Sequence, residues 1–224
     1  MKIMKKNIFT IFAFFIILPL SQAQNTWVQK ADYGGGFTSA STAFTINGKA
    51  YLGTGFDSFS GEALSSFWEY NPISDTWSQK ADMGGSPRGY ALSFSLNSKG
   101  YVGGGFDGLD PVNDFWEYNP TNNTWTQKAD MGGPSRLSGS AFSIDEKGYI
   151  GLGYNFETDK DLKDFWEYNP TNNTWTQKTN FGGHARQGAA SFAVEGKGYI
   201  GTGFLGIQSC IQFMVSKVRI WRIN

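Results

Sequence analysis

The sequence is short of the two residue types that most often hold metals or form covalent links. It contains one cysteine, Cys210, and one histidine, His184, among 224 residues. A single cysteine excludes an intrachain disulfide, and copper or zinc sites need several nitrogen or sulfur ligands. A Ser-His-Asp set has little room with one histidine, and neither a Gly-x-Ser-x-Gly motif nor a phosphate loop occurs. We therefore predict no metal, no other cofactor and no catalytic residue.

Long hydrophobic runs are also scarce. The longest, Ile8–Leu20, has 13 residues, whereas a membrane-spanning helix needs about 20. Lysines precede this run and Ser21-Gln22-Ala23 follows it, a pattern typical of a secretory signal. We predict a signal peptide at residues 1–23, cleavage after Ala23, no membrane span, and a secreted or periplasmic protein.

Charge of either sign is balanced. Residues 1–23 hold three lysines and no acidic residue, so their removal changes the formal charge from +0 to −3. A net charge this weak does not indicate binding to nucleic acid or to an anionic membrane surface. We therefore predict no nucleic-acid partner.

Repetition dominates the rest of the chain. The segment Phe-Trp-Glu-Tyr-Asn-Pro occurs three times, at Phe67–Pro72, Phe115–Pro120 and Phe165–Pro170. Tryptophans recur at intervals of 50, 48 and 50 residues, and glycines keep the same spacing: Trp27, Trp77, Trp125, Trp175; Gly53, Gly103, Gly151, Gly201. Self-similarity at this period indicates supersecondary units that stack on one another to bury their faces.

Each unit has the pattern of four short strands. Residues 88–96 alternate large apolar with small or polar side chains, which predicts a half-buried strand. A turn then leads to strand 101–105, whose glycines indicate that another backbone or a bulky ring lies close by. Strands at 114–118 and 124–128 follow, separated by a second turn. Since no helical periodicity occurs, each unit is predicted to be an antiparallel four-stranded sheet.

These residues resemble the kelch motif. An arginine heads the first strand, glycines end the second, Tyr-Asn-Pro lies in the third and a tryptophan in the fourth. The resemblance covers Trp27 to about Phe204 and implies an all-β, kelch-type β-propeller with one four-stranded blade per repeat. Members of this family are similar to copper oxidases of the galactose oxidase type and to sugar epimerases, but one histidine cannot build that copper centre. The repeat number is low, because kelch propellers generally carry about six or seven blades.

The units at the two ends of the chain are incomplete. An isolated fourth strand, Thr26–Lys30, comes first, and two strands of a further unit, Arg186–Val194 and Gly198–Gly203, come last. Three full units lie between them: Thr38–Ala81, Arg88–Ala129 and Arg136–Thr179. We predict that the partial propeller occupies residues 24–204.

Residues 205–224 form a tail that lacks the repeat signature. Two interpretations are open. Ile211–Ile223 is a divergent closing strand in a four-bladed ring, or the chain is a truncated or frame-shifted fragment of a larger propeller. We favour the fragment, because terminal repeats seldom lose every signature residue.

Three arginines occupy the same position in successive units. Arg88, Arg136 and Arg186 each head an inner strand, and Phe37 holds this position in the first unit. In a propeller these positions surround one mouth of the central channel, on the face where the long loops open. Converging arginines would suit carboxylates or acidic sugars through paired hydrogen bonds. Alternatively, each arginine supports its own loop by bonding backbone carbonyls, and we weigh the two roles equally.

Carboxylates are the other polar residues that invite a function. Those of the long loops, between Asp57 and Asp164, show no common order or spacing and match no calcium-binding loop, so we interpret them as solvated loop charges. Glu69, Glu117 and Glu167 do repeat, beside tryptophan in the third strand. We interpret these glutamates as outward-facing or paired.

Together these features predict an exported, non-catalytic binding or scaffold module. Its partner is predicted to be a protein or an anionic glycan that docks on the face bearing Arg88, Arg136 and Arg186. The alternative is a metal-free sugar mutarotase or epimerase that uses arginine with a carboxylate. Unpaired strand edges at an open end of the ring also predict self-association.

Overall fold

Strands and turns account for the part of the chain that the structure describes. The computed structural model describes residues 27–205 and 221–223, so the predicted signal peptide, its cleavage site and most of the predicted tail lie outside the described residues. Within them there is no helix, and hence none long and apolar enough to cross a membrane. The strands are β1 (Thr38–Ser39), β2 (Thr42–Ile46), β3 (Lys49–Gly53), β4 (Phe56–Asp57), β5 (Phe67–Asn71), β6 (Thr76–Lys80), β7 (Leu92–Leu96), β8 (Lys99–Gly103), β9 (Phe115–Asn119), β10 (Thr124–Lys128), β11 (Ser140–Ile144), β12 (Lys147–Gly151), β13 (Tyr154–Asn155), β14 (Lys160–Asp161), β15 (Phe165–Asn169), β16 (Thr174–Lys178), β17 (Gln187–Val194), β18 (Lys197–Phe204) and β19 (Trp221–Ile223).

Three sheets share one antiparallel, four-stranded architecture. Their strand orders are β2-β3-β5-β6, β7-β8-β9-β10 and β11-β12-β15-β16. In the second sheet Phe94 lies opposite Tyr101, and Tyr101 lies opposite Glu117. The first and third sheets repeat this register. The predicted all-β class with three complete four-stranded blades is thereby confirmed.

The first strand of the second unit is shorter than the sequence pattern predicts. β7 begins at Leu92, whereas the apolar alternation begins at Arg88. Tyr90 adopts a left-handed φ of 58°, and its backbone N–H donates to the carbonyl oxygen of Ala40 over 2.9 Å. The residues before β7 therefore bond to the preceding unit before the chain enters its own sheet.

Glycines in and after the second strands leave room for close neighbours, as the sequence predicted. A Cβ atom on Gly100 would lie 2.1 Å from the ring of Phe44, which belongs to the preceding sheet. Gly105 has a φ of +97°, and a Cβ atom there would lie 2.5 Å from the carbonyl oxygen of Gly89. One glycine thus admits a ring and the other admits a backbone.

The hydrophobic core lies between consecutive sheets. In one cluster Phe44, Tyr51 and Phe67 of the first sheet pack with Val102 and Tyr118 of the second. An equivalent cluster joins the second and third sheets. Since burial of each large apolar side chain contributes about 1.5–3 kcal/mol, the stacking of sheets is the main source of stability.

The tryptophans of the fourth strands are equivalent packing residues, as predicted, although they are only partly buried. Each indole Nε1 donates to a backbone carbonyl of an alanine that directly follows the preceding fourth-strand sequence. The pairs are Trp77 with Ala31 at 3.1 Å, Trp125 with Ala81 at 3.0 Å and Trp175 with Ala129 at 3.1 Å. Each of these tryptophans therefore ties its own sheet to the chain segment that enters it.

The last sheet has three strands within the described residues, in the order β17-β18-β19. Trp221 of β19 lies opposite Ile200. In the third sheet Trp166 lies opposite Ile150, so the two pairings have the same register. The tail, which was expected to carry no repeat signature, thus supplies the third strand of this sheet. That the chain is a fragment of a larger propeller stays a prediction.

The segment before the first sheet differs from expectation. The chain divides into two units, Met1–Lys30 and Ala31–Asn224. Residues 27–30 are exposed and irregular, so the prediction of a strand there is wrong. A strand needs a neighbouring backbone to satisfy its N–H and C=O groups.

Candidate binding face

The arginines that head the inner strands were the predicted site, and two of them lie inside the protein. The side chains of Arg88 and Arg136 are both 0% exposed. They precede β7 and β11, at the end of each sheet where the long loops begin. The guanidinium groups of these two arginines are therefore not exposed to solvent.

Each buried arginine is paired with an aspartate directly before the third strand of its own sheet. Arg136 binds Asp164 through Nη1–Oδ1 at 3.1 Å and Nη2–Oδ2 at 2.6 Å. Arg88 binds Asp114 through the same pairs of atoms, with 2.9 Å between Nη2 and Oδ2. Both aspartates also accept a hydrogen bond from the indole of the tryptophan two residues further on, at 2.7 and 2.6 Å. Such paired, charge-assisted bonds fix the geometry of both partners.

The backbone of Arg88 forms hydrogen bonds with the preceding unit, while its side chain forms hydrogen bonds within its own unit. Its N–H donates to the carbonyl of Leu64 over 3.1 Å, and its carbonyl accepts from the N–H of Gly55 over 2.6 Å. Its Nη1 also donates to the carbonyl of Gly104 over 3.4 Å. Of the two roles weighed from the sequence, support of the loops is the one that this geometry favours for Arg88 and Arg136.

The aspartate partner stays ionised in this environment. Burial by itself raises the pKa of Asp114, but hydrogen bonds from Arg88 and Trp116, together with the arginine charge, outweigh burial and hold that pKa below its ordinary value. The Arg88–Asp114 pair is therefore a charged pair at neutral pH.

Arg186 has different surroundings. It is half-buried, its Nη1 donates to the carbonyl of Thr202 over 2.7 Å, and its guanidinium carbon lies 5.3 Å from the ring centroid of Phe181. In the second and third units the aspartate lies two residues before the third-strand tryptophan. In the last unit the residue two positions before Trp221 is Arg219, which lies outside the described residues. The structure does not bring the three arginines together as one exposed cluster, and ligand binding at Arg186 stays a prediction.

The repeated glutamates of the third strands are paired, which was one of the two alternatives predicted for them. Glu117 accepts hydrogen bonds from the Tyr101 hydroxyl at 2.7 Å and from Lys99 Nζ at 2.6 Å. Glu69 makes the equivalent bonds to Tyr51 and Lys49. Glu167 bonds the equivalent tyrosine, Tyr149, but pairs with Lys178 of the fourth strand. These carboxylates serve the sheets and are not positioned as catalytic groups.

The long loops carry a repeated feature that the sequence interpretation missed. Oδ1 of Asp57 accepts the backbone N–H groups of Phe59 and Ser60 at 2.9 and 2.8 Å. Oδ1 of Asp107 accepts those of Leu109 and Asp110 at the same two distances. The two carboxylates are thus equivalent, and the interpretation that the loop carboxylates share no spacing is wrong for this pair. Each lies two residues after a glycine, Gly55 or Gly105, and that spacing was the available signal.

These turns present large apolar side chains to solvent. Phe59 is 82% exposed and Leu109 is 83% exposed, each two residues after its aspartate. In the third unit Asn155 takes the aspartate's place, accepting the Thr158 N–H at 2.8 Å, and the adjacent Phe156 is 54% exposed. All three long loops therefore hold an apolar residue at their tip.

Aromatic pairs lie within the first unit and between neighbouring units beside these loops. The rings of Phe37 and Phe59 lie 5.4 Å apart, and those of Phe106 and Phe156 lie 5.6 Å apart. Between them, Phe56 packs 5.8 Å from Tyr90, which is itself 46% exposed. We call the surface formed by these exposed side chains the loop face: Phe37, Phe59, Tyr90, Leu109 and Phe156. Exposed apolar groups concentrated in this way mark an interaction surface more often than a chemical site.

The described residues contain no group of three or more His, Cys, Asp or Glu side chains that could hold a metal ion. The terminal nitrogens of Arg88 and Arg136 bond to their aspartates and to backbone carbonyls, whereas the buried Nε of Arg136 has no hydrogen-bond partner. The loop face, with its apolar tips, is the most distinctive surface in the described part of the chain.

Comparison with known proteins identifies the fold. A family model for the KLHDC2/KLHL20/DRC7 Kelch-repeats domain matches residues 24–203. No curated protein sequence gives a significant match. A solved structure titled "Structure of YjhT" is similar with a TM-score of 0.67 and 16% sequence identity, over 81% of this chain and 64% of that one. At this identity the likeness shows the fold alone, and the chain spans less than two thirds of the length of that structure.

Proposed function

Because the chain belongs to the kelch-repeat family, whose propellers commonly serve as protein-binding scaffolds, we propose that it is an exported, non-catalytic binding module. Its loop face receives a partner protein. The proposed export rests on the lysine-flanked apolar run and the small residues before Gln24.

One observation carries the proposal: three successive repeats hold an apolar side chain in solvent on a hydrogen-bonded turn. Phe59 and Leu109 are more than four-fifths exposed, and Phe156 is more than half exposed. Exposure of such side chains costs free energy in water, and a partner that covers them recovers it. Backbone N–H groups of these loops are already bonded to Asp57 and Asp107. Binding of a partner therefore costs little conformational entropy of the loops.

An anionic glycan, the other predicted partner, receives less support. Arg88 and Arg136 are buried against Asp114 and Asp164, so their charges are already matched. A sugar-converting enzyme meets the same difficulty, since the arginine and carboxylate that it would use are bonded to each other. We therefore propose a protein partner.

A random peptide library displayed on phage and selected on the purified chain tests the proposal. The test variant is Phe59→Ser with Leu109→Ser, which removes two apolar tips. The control is Ile73→Ser, because Ile73 is 96% exposed on the β5–β6 turn, at the opposite end of the sheet. Selected peptides should bind the wild type and the control but lose about tenfold or more in affinity for the double variant. Equal binding to all three proteins, or enrichment of no peptide, would overturn the proposal.

A further inference from the structure

We infer that the part of the loop face contributed by the first two repeats binds a cationic protein segment, with lysine or arginine next to apolar side chains. This inference rests on the proposed function and names the chemistry of its partner. Two features of the surface carry it: the apolar tips and the sign of the charge around them.

The long loops of the first two repeats themselves carry negative charge alone. Residues 54–66 contain Asp57 and Glu62 and no lysine or arginine. Residues 104–113 contain Asp107 and Asp110 and again no basic residue. The third long loop differs, because lysines accompany its carboxylates at positions 160 and 163. Only the long loops of the first two repeats therefore carry acidic residues without basic ones.

The arginines at the base of these loops are not accessible to a partner, although the charge of Arg88 does contribute to lowering the pKa of Asp107. Arg88 is 0% exposed and paired with Asp114 through both of its terminal nitrogens. Arg136 is bound to Asp164 in the same way. The negative charge of the loops is consequently presented to a partner without an accessible arginine beneath it.

The charges are also held in a fixed place. Hydrogen bonds from the backbone N–H groups of Ser60 and Phe59 lower the pKa of Asp57, and those of Asp110 and Leu109 lower the pKa of Asp107. Both side chains therefore stay ionised at neutral and mildly acidic pH. The turn that fixes the position of each carboxylate also carries the exposed apolar residue.

A partner with lysine or arginine next to an apolar residue fits both parts of this arrangement. Its apolar side chain covers Phe59 or Leu109, while its cation lies near the carboxylate two residues away. Lysine and arginine also lay their apolar stems along aromatic surface and place their charge over ring faces. An acidic partner would meet like charges at both tips, which disfavours it.

Three synthetic peptides test the inference. They share the same leucine and phenylalanine positions and differ only in carrying lysine, glutamine or glutamate at the positions between them. Binding of the labelled peptides is measured by fluorescence anisotropy at low and at high salt. The lysine peptide should bind about tenfold more tightly than the glutamine peptide at low salt, and added salt should narrow this difference.

The test variant is Asp57→Asn with Asp107→Asn. Asparagine keeps the oxygen that accepts the backbone N–H groups, so the turns are retained and only the charges are lost. The matched control is Asp145→Asn, which removes a charge from the hairpin turn between β11 and β12, at the other end of its sheet. The lysine preference should disappear in the test variant and persist in the control.

The outcomes separate this inference from the proposed function. Equal binding of the lysine and glutamine peptides, a lysine preference that survives in the Asp57→Asn, Asp107→Asn variant, or no binding at about 1 mM peptide would overturn the inference. The proposed function is judged independently by the library selection with Phe59→Ser and Leu109→Ser. Selected peptides that depend on those tips but carry no lysine or arginine would refute the cationic partner and leave the docking face standing.

Discussion

Arg136 and Asp164 are joined by two parallel hydrogen bonds, of 3.1 Å and 2.6 Å, between the head of an inner strand and the end of a long loop. The second unit repeats this pair with Arg88 and Asp114. In the first unit both members are absent, because Thr38 and Ser66 hold the two positions. The pairing of Ser39 with Phe56, equivalent to that of Gly89 with Phe106, shows that the arginine position falls at Thr38 and not at Phe37 as the sequence was interpreted. In the second and third units the arginine and the aspartate therefore occur together and attach the loop to its sheet, whereas in the last unit Arg186 occurs with Arg219 at the aspartate's sequence position.

Breaking this pair should destabilise the protein strongly. We expect Arg136→Ala or Asp164→Ala to lower the free energy of unfolding by about 3–5 kcal/mol, because each leaves an uncompensated buried charge. Urea unfolding followed by tryptophan fluorescence measures the change. Arg186→Ala is the control and should cost much less, since Arg186 is half-buried whereas Arg136 is fully buried against Asp164.

Joint replacement of the pair distinguishes a structural from a ligand-binding role. Arg136→Met with Asp164→Leu removes both charges together, so the loss should be smaller than for either alanine variant. A double variant less stable than both single variants would contradict this account of the pair.

Stability should also fall in acid because of the aspartates. The pKa of Asp114 is held below its ordinary value when the protein is folded, with burial opposing and Arg88 and Trp116 prevailing. Its stabilisation is therefore fully present above the unfolded pKa of about 3.9 and is lost as the pH falls through the lower folded value. Urea unfolding at a series of pH values should show a shallower acid decline in Asp114→Asn than in the wild type. Identical slopes would exclude Asp114 as a source of the acid sensitivity.

The sequence predicted those parts of the fold that depend on repetition and local pattern. The spacing of Trp77, Trp125 and Trp175 defined the units, and the period-two alternation placed the strands to within a few residues. Glycine at position 103 correctly indicated a ring close by, which is that of Phe115. Each of these features is encoded within one unit, so one sequence suffices to detect it.

The candidate site depends on contacts between residues that are distant in sequence, and a sequence pattern does not predict such contacts. Arg88 meets an aspartate 26 residues further along the chain, and nothing local indicates that this aspartate turns inward. The joint absence of the pair in the first unit was the one available signal. Phe59 and Leu109 were overlooked because an apolar residue in a polar loop looks the same in sequence whether it is covered or exposed.

We predict that the chain self-associates through the edge of its last sheet. Each complete sheet ends in a fourth strand of sequence Thr-Trp-x-Gln-Lys, whereas the sheet β17-β18-β19 ends at β19 within the described residues. An outer strand without a neighbour presents unpaired N–H and C=O groups that favour pairing with another chain. The mean molar mass from light scattering during gel filtration should therefore rise with protein concentration. A peptide with the sequence of residues 171–180, which includes β16, should compete for this edge and lower the mass, whereas a scrambled peptide should not. A mass that stays at the monomer value at every concentration would show that the edge is already covered, and that the ring closes without a partner.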